Sequence, residues 1–419
     1  MRSGASIISK RPRTARTGSG AKTRRRPAGK DSANTASKQG PREFVISDMD
    51  DLGQGIDRSG DKPLFVAKTL PGEMGQVTPY RQAKGVAFAR LEDSSALSDS
   101  AANRTEPACP HFQQCPGCQY LHTDYASEQS YKQQSFQRSL RGLKNHPKPL
   151  PEVQWIGADQ RLHYRNRIQL HYRHSYLGML DRVSNQVLPI PNCQLLRPEL
   201  KPALQDLYAR HPEQPAGSEQ KKHGHVELYL QTDGQVTETW DQPYAAGGFT
   251  QVNAAMHEKL LQQLESSLQK LKQSGFEPDN VLDCFAGDGN LSRIATEVWP
   301  QLQRICVDRY PQAHDAPFLS LDLYEDEALS RYLARAPHRK SKLMIVDPPR
   351  SGFPRLAQWT DKMQAHYLVY IACDARTMIR DLNALSQHRI LELLQFDLFP
   401  ATHHYESMAV VRLKAGKSA

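Results

Sequence analysis

The sequence predicts a protein of the α/β class whose C-terminal half forms a doubly wound parallel sheet. From about residue 245 the chain alternates between buried strand-like runs and amphipathic helices, which is typical of a parallel sheet covered on both faces. Short strand-like runs fill residues 43–100, and three cysteines lie close together at Cys109, Cys115 and Cys118. A chain of 419 residues is also long enough for two or three domains.

Residues 1–42 differ in composition from the rest of the chain. They contain 12 Lys or Arg residues, one acidic residue, Asp31, and no aromatic residue, whereas the remainder has a net charge of −2. This composition predicts a disordered basic tail, because it lacks the apolar groups that a core needs. Such a tail would tether RNA through phosphate contacts. A dispensable solvated extension and an organelle transit peptide are the alternatives.

Residues 43–104 are expected to form a small β-rich domain. The runs 43–47, 63–67 and 85–89 have strand character and are separated by turns that contain Gly and Asp. About five short strands in this length suit a small barrel of the OB type. The polar segment 93–104 is expected to connect this barrel to the next domain.

Residues 105–244 are predicted to form a central domain that holds a metal site. The chain has an odd number of cysteines and shows no secretion signal, which argues against a disulfide framework. Cys109, Cys115 and Cys118 form a C-x5-C-x2-C pattern, which indicates metal binding in a reducing compartment. Because thiolates bind both zinc and iron–sulfur clusters, ligand type alone leaves the metal open. The expected elements are a helix near 124–143 and strands at 170–176 and 226–231.

Residues 245–419 are predicted to form the doubly wound domain. Apolar residues recur at helical spacing in three segments, and continuous apolar runs separate them. The expected elements are helices at 253–273, 290–298 and 375–385 and strands at 281–285, 304–308, 343–347, 367–372, 390–399 and 407–413.

A Gly-rich loop, 286–290, follows the first strand of this domain. Glycines at such a loop let a ligand approach the backbone closely. The next strand ends at Asp308, about 20 residues further on, where a carboxylate can accept hydrogen bonds from both ribose hydroxyls. The loop departs from G-x-G-x-x-G and resembles the first motif of S-adenosylmethionine-dependent methyltransferases. An ordinary tight turn between strand and helix is the alternative.

Two later strands also end in residues with chemical potential. Asp347-Pro-Pro-Arg350 follows one strand, and its prolines fix the backbone. Methyltransferases that act on exocyclic amines place an aromatic residue where Arg350 stands, which argues against that reaction. Cys373 ends the other strand, on the ligand side of an α/β sheet, where a following helix N-terminus would favour its thiolate. Cys373 is therefore a candidate nucleophile, whereas Cys284 and Cys306 are expected in the core.

The order of these motifs resembles the RNA 5-methyluridine methyltransferases. The matching segments are 249–253, 283–290, 347–352, 371–373 and 404–408. The cysteine pattern resembles the iron–sulfur motif of the branch that modifies 23S ribosomal RNA, and residues 43–104 resemble the TRAM domain, a small RNA-binding barrel, of the branch that methylates uridine 1939. The resemblance spans about residues 43–414.

The resemblance implies a role for each matching residue. Cys373 corresponds to the nucleophile and Glu406 to the general base. The positions that contact S-adenosylmethionine correspond to Gln251, Phe285, Asn290, Asp308, Asp322 and Asp347. The ligands of a [4Fe–4S] cluster correspond to Cys109, Cys115, Cys118 and Cys193. The family usually has Ser-Cys-Asn-Pro around the nucleophile, so the Ala-Cys-Asp-Ala sequence of this chain lacks a stiffening proline.

The chemistry also stands without the family. Uracil C5 is too weak a nucleophile to take a methyl group directly, but a thiolate that adds at C6 makes C5 enolate-like. A base must then remove the C5 proton, and burial is expected to raise the pKa of Glu406 into a useful range. A salt bridge at the rim of the site is the alternative role for Glu406. The target base has to be flipped out of its stack to reach both groups.

The sequence thus predicts a Rossmann-like methyltransferase domain behind a TRAM-like barrel and an iron–sulfur domain. Its expected function is C5 methylation of a uridine in 23S ribosomal RNA, and a monomeric cytoplasmic protein without membrane or protein partners is expected. A tRNA 5-methyluridine methyltransferase and a non-catalytic RNA-binding ribosome assembly factor are the alternatives. The segment 161–173 interleaves Arg with Tyr, which suits either stacking on single-stranded RNA or a strand whose Arg side chains face solvent.

Overall fold

The fold is that of a computed structural model. The residues that the structure describes are 40–83, 85–181, 183–211, 223–242, 251–310 and 317–413. Nearly all of the predicted basic tail lies outside these residues, as do Phe249 and Thr250 of the first family-like segment. The predictions made for them therefore stay predictions.

The N-terminal region forms a β-sheet with a buried face. Its strands are β1 (Arg42–Met49), β2 (Gln54–Asp57), β3 (Leu64–Ala67), β4 (Met74–Val77), β5 (Arg81–Ala83), β6 (Val86–Arg90) and β7 (Leu97–Asp99). Within the described part of this region they are seven rather than about five, in the order β5-β6-β3-β2-β1-β4-β7. Phe44 and Ile46 alternate with exposed residues along β1 and point into the core. The expected connector 93–104 instead contributes β7, which pairs with β4.

The central region contains an antiparallel sheet. Its elements are α1 (Tyr125–Leu140), β8 (Val153–Ile156), β9 (Arg167–Arg173), β10 (Tyr176–Asp181), β11 (Gln186–Leu188), α2 (Lys201–Arg210), β12 (His223–Leu230) and β13 (Val236–Trp240). The sheet order is β11-β10-β9-β12-β13, and Leu204 and Leu207 of α2 pack on it. The predicted helix 124–143 and strand 226–231 correspond to α1 and β12, whereas the predicted strand 170–176 is wrong, because it spans the end of β9, a turn at 174–175 and the first residue of β10.

The C-terminal region forms the largest sheet. Its elements are α3 (Ala254–Gln273), β14 (Asn280–Cys284), α4 (Asn290–Val298), β15 (Gln303–Asp308), β16 (Phe318–Ser320), α5 (Ala328–Arg335), β17 (Leu343–Val346), α6 (Leu356–Met363), β18 (Tyr367–Ala372), α7 (Ala375–Asn383), β19 (His388–Phe396) and β20 (Glu406–Leu413). The sheet order is β16-β15-β14-β17-β18-β20-β19-β8, and β14 to β18 pair in parallel as predicted. The sheet is nevertheless mixed, because a short turn without a crossover helix joins β19 to β20 and makes them antiparallel.

Both faces of this sheet are buried, which explains its continuous apolar strands. Val281 and Ile345 face one hydrophobic cluster with α3 and α4, while Leu282 and Met344 face another with α5, α6 and α7. Cys284 and Cys306 are fully buried, as predicted. None of the helices in the described ranges combines the length and apolar character that crossing a bilayer requires.

Two elements of the central region are part of the C-terminal fold: strand β8 joins its sheet, and helix α1 joins its hydrophobic core. β8 pairs in parallel with β19 and forms the edge of the sheet. Helix α1 places Phe136 and Leu140 in the same hydrophobic cluster as Met378 and Leu382 of α7. The division of the chain into a central and a C-terminal domain stays a prediction, but segments on either side of residue 244 share one sheet and one core.

A buried ion network ties α1 to the segment between β19 and β20, residues 397–405, here named the β19–β20 turn. The Lys132 ammonium lies 2.7 Å from a Glu128 oxygen and 2.7 Å from an Asp397 oxygen, and all three side chains are fully buried. Lys132 also donates to the Phe399 carbonyl at 3.1 Å, and Arg161 binds the second oxygen of Glu128 at 2.8 Å. Charge and hydrogen-bonding capacity are thus matched inside the protein.

We expect Lys132→Met to lower the free energy of unfolding by about 3–5 kcal/mol, because it leaves Asp397 and one oxygen of Glu128 buried without a counter-charge. Urea unfolding followed by circular dichroism measures the loss. Lys270→Met is the matched control: Lys270 pairs with Glu392 at 2.7 Å but is half exposed, so less than about 1 kcal/mol is expected. Equal losses in the two variants would contradict the importance of the buried network.

Candidate active site

A cleft of about 2060 Å³ opens at the carboxyl ends of the parallel strands. The strand order of the sheet reverses between β14 and β17, and ligands of open α/β sheets bind at such a switch point. The cleft brings together all the predicted cofactor contacts and both predicted catalytic residues, namely Gln251, Phe285, Asn290, Asp308, Asp322, Asp347, Cys373 and Glu406. Segments more than 150 residues apart in sequence therefore meet at one place.

The Gly-rich loop has the backbone that its sequence requires. Phe285, Gly287 and Gly289 have positive φ angles of 62°, 54° and 77°, and α4 begins directly afterwards at Asn290. Asp308, at the end of β15, accepts a hydrogen bond from the Gly287 amide at 3.0 Å. The acid predicted to bind a ribose thus also holds the loop, and a carboxylate retains lone pairs for further donors.

Aromatic rings line the part of the cleft beside this loop. The Phe285 ring lies 5.6 Å from the ring of Tyr324 and 5.1 Å from the ring of Phe353. The Tyr324 hydroxyl donates to the Gly352 carbonyl at 2.8 Å, so the loop of Asp322 is tied to the loop after β17. Tyr324 was not among the predicted site residues, because nothing in its local sequence distinguishes it from a surface tyrosine.

Acidic side chains are concentrated at this end of the sheet. Burial raises the pKa of Asp283 to about 7, although hydrogen bonds from Ser292 oppose the shift. Burial and the charges of Asp283 and Asp308 raise the pKa of Asp347 to about 7. A bound cation would relieve this mutual repulsion, so the site favours a positively charged ligand.

Cys373 follows β18 and precedes α7. Burial raises the pKa of its thiol to about 12, and the charges of Glu406 and Asp347 add to the shift, while Arg350 opposes it. The net shift in the ligand-free protein is therefore toward the thiol, so any effect of the helix N-terminus on the thiolate is outweighed by burial and by the two carboxylates. Asp374 caps α7 with its own carboxylate, which accepts from the Arg376 amide at 3.0 Å, so Cys373 lies outside the helix.

Glu406 is the first residue of β20 and is only 6% exposed. Burial raises the pKa of its carboxyl well above the usual value, and Asp347 adds to the shift, as the sequence led us to expect. Its Oε2 atom has no hydrogen-bond partner among the described residues. The alternative of a salt bridge at the rim does not fit this environment.

Arg350 and the histidine pair His403 and His404 were not predicted as site residues, although all three line the cleft. The Arg350 guanidinium donates to Nε2 of His404 at 3.2 Å, which leaves the His404 proton on Nδ1. Burial, His403 and Arg350 lower the pKa of His404 to about 2, so the ring is neutral. The sequence clue was present, since Arg350 and His404 both fall within the family-like segments.

The four predicted metal ligands come from two segments that pack together. Cys109 and Cys118 share one hydrophobic cluster, Cys115 lies in another, and Cys193 packs against both. The four thiols are free, and burial raises the pKa of Cys115, Cys118 and Cys193. In the part of the chain that the structure describes, no three His, Cys, Asp or Glu side chains converge as ligands of a single metal ion. A [4Fe–4S] cluster takes one thiolate on each iron, so its ligands need not converge on one atom.

The segment 161–173 is mainly structural. Arg167 is 2% exposed and lies 3.1 Å from Glu227, and the buried Tyr172 donates to Asp241 at 2.8 Å. The Tyr164 hydroxyl donates to the Pro400 carbonyl. Stacking of RNA on these two tyrosines and a solvent-facing Arg167 are both wrong.

The chain is similar in sequence to known methyltransferases of the kind that the order of its motifs predicted. Residues 335–414 match the model of the tRNA (Uracil-5-)-methyltransferase family. Proteins named 23S rRNA (uracil(1939)-C(5))-methyltransferase RlmD from Shewanella frigidimarina and Shewanella sediminis are each 27% identical to this chain over 88% of its length and 95% of theirs. The protein of that name from Shewanella denitrificans is 24% identical over 92% of this chain and 98% of its own.

A solved structure shares the fold. The tRNA (uracil-54, C5)-methyltransferase of Pyrococcus abyssi, in complex with S-adenosyl-L-homocysteine, superimposes with a TM-score of 0.65 over 88% of this chain and 99% of that one. Their sequences are 19% identical, so the likeness concerns the fold. The chain has a methyltransferase fold, and over most of its length it is similar to proteins named as RNA (uracil-5-)-methyltransferases, the resemblance that its motifs predicted.

Proposed function

We propose that this protein transfers a methyl group from S-adenosylmethionine to C5 of a uridine in 23S ribosomal RNA, with uridine 1939 as the site because of the named relatives. The observation that carries the proposal is the meeting of Cys373 and Glu406 with the Gly-rich loop in one cleft. A thiol, a carboxyl group and a cofactor loop are the set of groups that C5 methylation of uracil requires.

The cofactor would lie along the carboxyl ends of β14, β15 and β17. Asp308 would bind the ribose hydroxyls, and the aromatic ring of Phe285 would contact the adenine. Asp347 and the neighbouring carboxyl groups would attract the positive sulfonium group. The remaining proposed contacts are Gln251, Asn290 and Asp322, which line the same cleft. When bound, S-adenosylmethionine supplies the methyl group that C5 receives.

Cys373 and Glu406 would act at opposite stages of the reaction. The Cys373 thiolate forms a bond to C6, and the electrons of the C5=C6 double bond move toward C5 and its neighbouring carbonyl. After C5 has been methylated, the Glu406 carboxylate takes the C5 proton. The electrons of that C–H bond rebuild the double bond, the C6–S bond breaks, and the thiolate leaves.

The ligand-free site holds both groups in their inactive protonation states. The raised pKa values of Cys373 and Glu406 favour the thiol and the protonated carboxyl. A cation near them would lower both pKa values, and Arg350 already acts in that direction. We infer that cofactor binding completes the activation of the site, so that the nucleophile forms only when a methyl donor is present.

The N-terminal sheet would guide the RNA. Ala67 of β3, Lys68 directly after it and Arg90 of β6 line the same cleft as Cys373, so a strand of RNA could run from this sheet to the active site. A TRAM-like role for residues 43–104 fits this arrangement. The flipped uracil would then enter between Cys373 and Glu406.

Cys109, Cys115, Cys118 and Cys193 would hold a [4Fe–4S] cluster. Three buried thiols and the partly buried thiol of Cys193, in two adjoining packing clusters and with no disulfide, suit a closed site of structural type. The Lys68 ammonium donates to the carbonyls of Cys115 and Cys118 at 3.1 and 2.6 Å. Its positive charge would offset the negative charge of a cluster that is bound by four thiolates. Zinc is the alternative metal, and it would require the four sulfur atoms to converge on one ion, an arrangement that the described residues do not show.

The pKa of Cys373 predicts a steep pH dependence for its alkylation. With a pKa of about 12, the thiolate fraction and therefore the rate with iodoacetamide should rise about tenfold per pH unit between pH 7 and 9. Peptide mass mapping follows Cys373 separately from the other cysteines. Arg350→Gln should slow the reaction, because the guanidinium lowers this pKa, whereas Arg309→Gln, which changes an exposed arginine of the same cleft, should not. A rate independent of pH above 7 would contradict a raised pKa.

The covalent step is tested with RNA that carries 5-fluorouridine at the target. Fluorine cannot leave as a proton does, so the wild type should form a methylated protein–RNA adduct that survives denaturing electrophoresis. Cys373→Ala should abolish both the adduct and methylation while leaving S-adenosylmethionine binding intact. Glu406→Gln should slow product release by about 10²–10⁴-fold and accumulate the adduct with ordinary uridine RNA.

Normal turnover by Cys373→Ala would refute the covalent mechanism. The RNA target is settled by mapping 5-methyluridine in 23S ribosomal RNA and in transfer RNA from cells with and without the gene. Loss of the mark from transfer RNA would favour the tRNA enzyme, and loss from neither RNA would favour the assembly factor.

The cluster proposal predicts a brown protein after anaerobic purification. Cys→Ser changes at Cys109, Cys115, Cys118 or Cys193 should remove the visible absorption and lower the unfolding temperature, because each takes away one ligand. Cys373→Ser is the matched control and should keep the colour. A colourless wild type that carries one zinc ion per chain would contradict the iron–sulfur assignment.

A further inference from the structure

We propose that Gln119 is a positioning residue for the general base, and that through it the loop of Cys109, Cys115 and Cys118 holds the β19–β20 turn that leads into Glu406. This inference rests on the proposed function, because it assigns Glu406 the removal of the C5 proton. It gives the cysteine loop, residues 109–119, a part in the reaction that is separate from contact with RNA.

The side chain of Gln119 bridges the two segments. Its Oε1 atom accepts hydrogen bonds from the backbone amide of His403 at 3.1 Å and from Nδ1 of the same residue at 3.0 Å. Its Nε2 atom donates to the Pro116 carbonyl at 2.9 Å, within the cysteine loop. Because an amide oxygen only accepts, the His403 proton lies on Nδ1, and one glutamine fixes both the backbone and the ring of His403.

The backbone of the cysteine loop holds the turn at a second point. The amides of Gln119 and Tyr120 both donate to the Ala401 carbonyl, at 2.8 and 3.0 Å. The Ala401 amide donates to the buried Glu128 at 2.6 Å, and its methyl group packs in the same cluster as Cys109 and Cys118. Ala401 has a φ of 68°, a conformation that a residue other than glycine keeps only when its surroundings impose it.

Glu406 depends on this support because, among the described residues, one oxygen of its carboxyl group is not held by a hydrogen bond. Its Oε2 atom has no hydrogen-bond partner within the described part of the chain. Its place is therefore set by the backbone, which pairs with Phe396 on one side and continues into the β19–β20 turn on the other. The second half of the turn reaches the active site, since Thr402, His403 and His404 line the cleft with Glu406.

The proposal separates the two halves of the reaction. Cys373 lies between β18 and α7, whereas the hydrogen bonds of Gln119 go to Pro116, Ala401 and His403, so addition to C6 should be independent of Gln119. Removal of the C5 proton and release of the product should depend on it. A merely structural role would reduce both steps together, or would release the metal.

The experiment compares Gln119→Leu, which removes the acceptor oxygen, with Gln119→Glu, which keeps an oxygen that can accept from His403. Gln114→Leu makes the same change at an exposed position of the same loop and is the matched control. Each variant is tested for adduct formation with 5-fluorouridine RNA, for adduct decay with uridine RNA in single-turnover reactions, and for metal content and visible absorption.

We expect Gln119→Leu to trap 5-fluorouridine RNA at the wild-type rate but to release product from uridine RNA about tenfold more slowly, the effect of losing a hydrogen bond that holds the base in place. Gln119→Glu should restore most of the release rate, and Gln114→Leu should match the wild type. Metal content and absorption should be unchanged in all three variants.

Equal losses of trapping and release, a change in metal content, or unchanged release in Gln119→Leu would each overturn the proposal. If Gln119→Leu does not fold, His403→Ala and His403→Asn replace it. Asparagine retains a side-chain N–H for Gln119 and should release product faster than alanine, and equal rates would count against the proposal. Failure of the wild type to trap 5-fluorouridine RNA would instead refute the proposed function, whatever the variants do.

Discussion

The buried ammonium group of Lys132 is the interaction on which the arrangement of this molecule depends. It neutralises Glu128 of its own helix and Asp397 at the start of the β19–β20 turn, and all three side chains are fully buried. Glu128 in turn binds the Ala401 amide and Arg161, and Arg161 reaches the carbonyls of Tyr120 and Thr123 beside the cysteine loop. A buried charge without a partner is costly, so any other relative placement of these segments would raise the free energy of the folded protein.

The active site follows an opposite electrostatic rule. Instead of matched pairs it gathers acidic groups and a thiol that oppose one another's ionisation, with Arg350 as a nearby positive charge. Such a site is stable when empty because its groups take up protons, and it is ready to exchange them when a cationic ligand enters. The matched ion network holds the segments around the site in place, and the acidic cluster with Cys373 supplies its titratable groups.

Much of the C-terminal fold could be predicted, because its strands are buried on both faces and appear as continuous apolar runs, as in Leu343–Val346. The short strands β2, β4 and β5 have no such run, and β7 lies in a polar segment, so their pairing is set by neighbours distant in sequence. The antiparallel pairing of β20 was not predicted, although the short segment between β19 and β20 has no room for a crossover helix. The site residues were recognisable as motifs, but Lys132 and Arg167 look like surface residues in sequence, and the pKa of Cys373 depends on carboxylates that only the fold brings near.

The edge strand β8 makes the large sheet depend on a segment that lies far from its other strands in sequence. Residues 254–413 contain all the remaining strands of that sheet. Without Val153–Ile156 they would leave the hydrogen-bonding edge of β19 open, and without α1 they would leave an apolar face over α7 uncovered. An excised C-terminal fragment would therefore be prone to self-association through β19, however complete its motifs. Helix α1 and strand β8, which precede residues 254–413 in the chain, cover surfaces of that region that would otherwise be exposed. The two parts of the chain are therefore not independent modules.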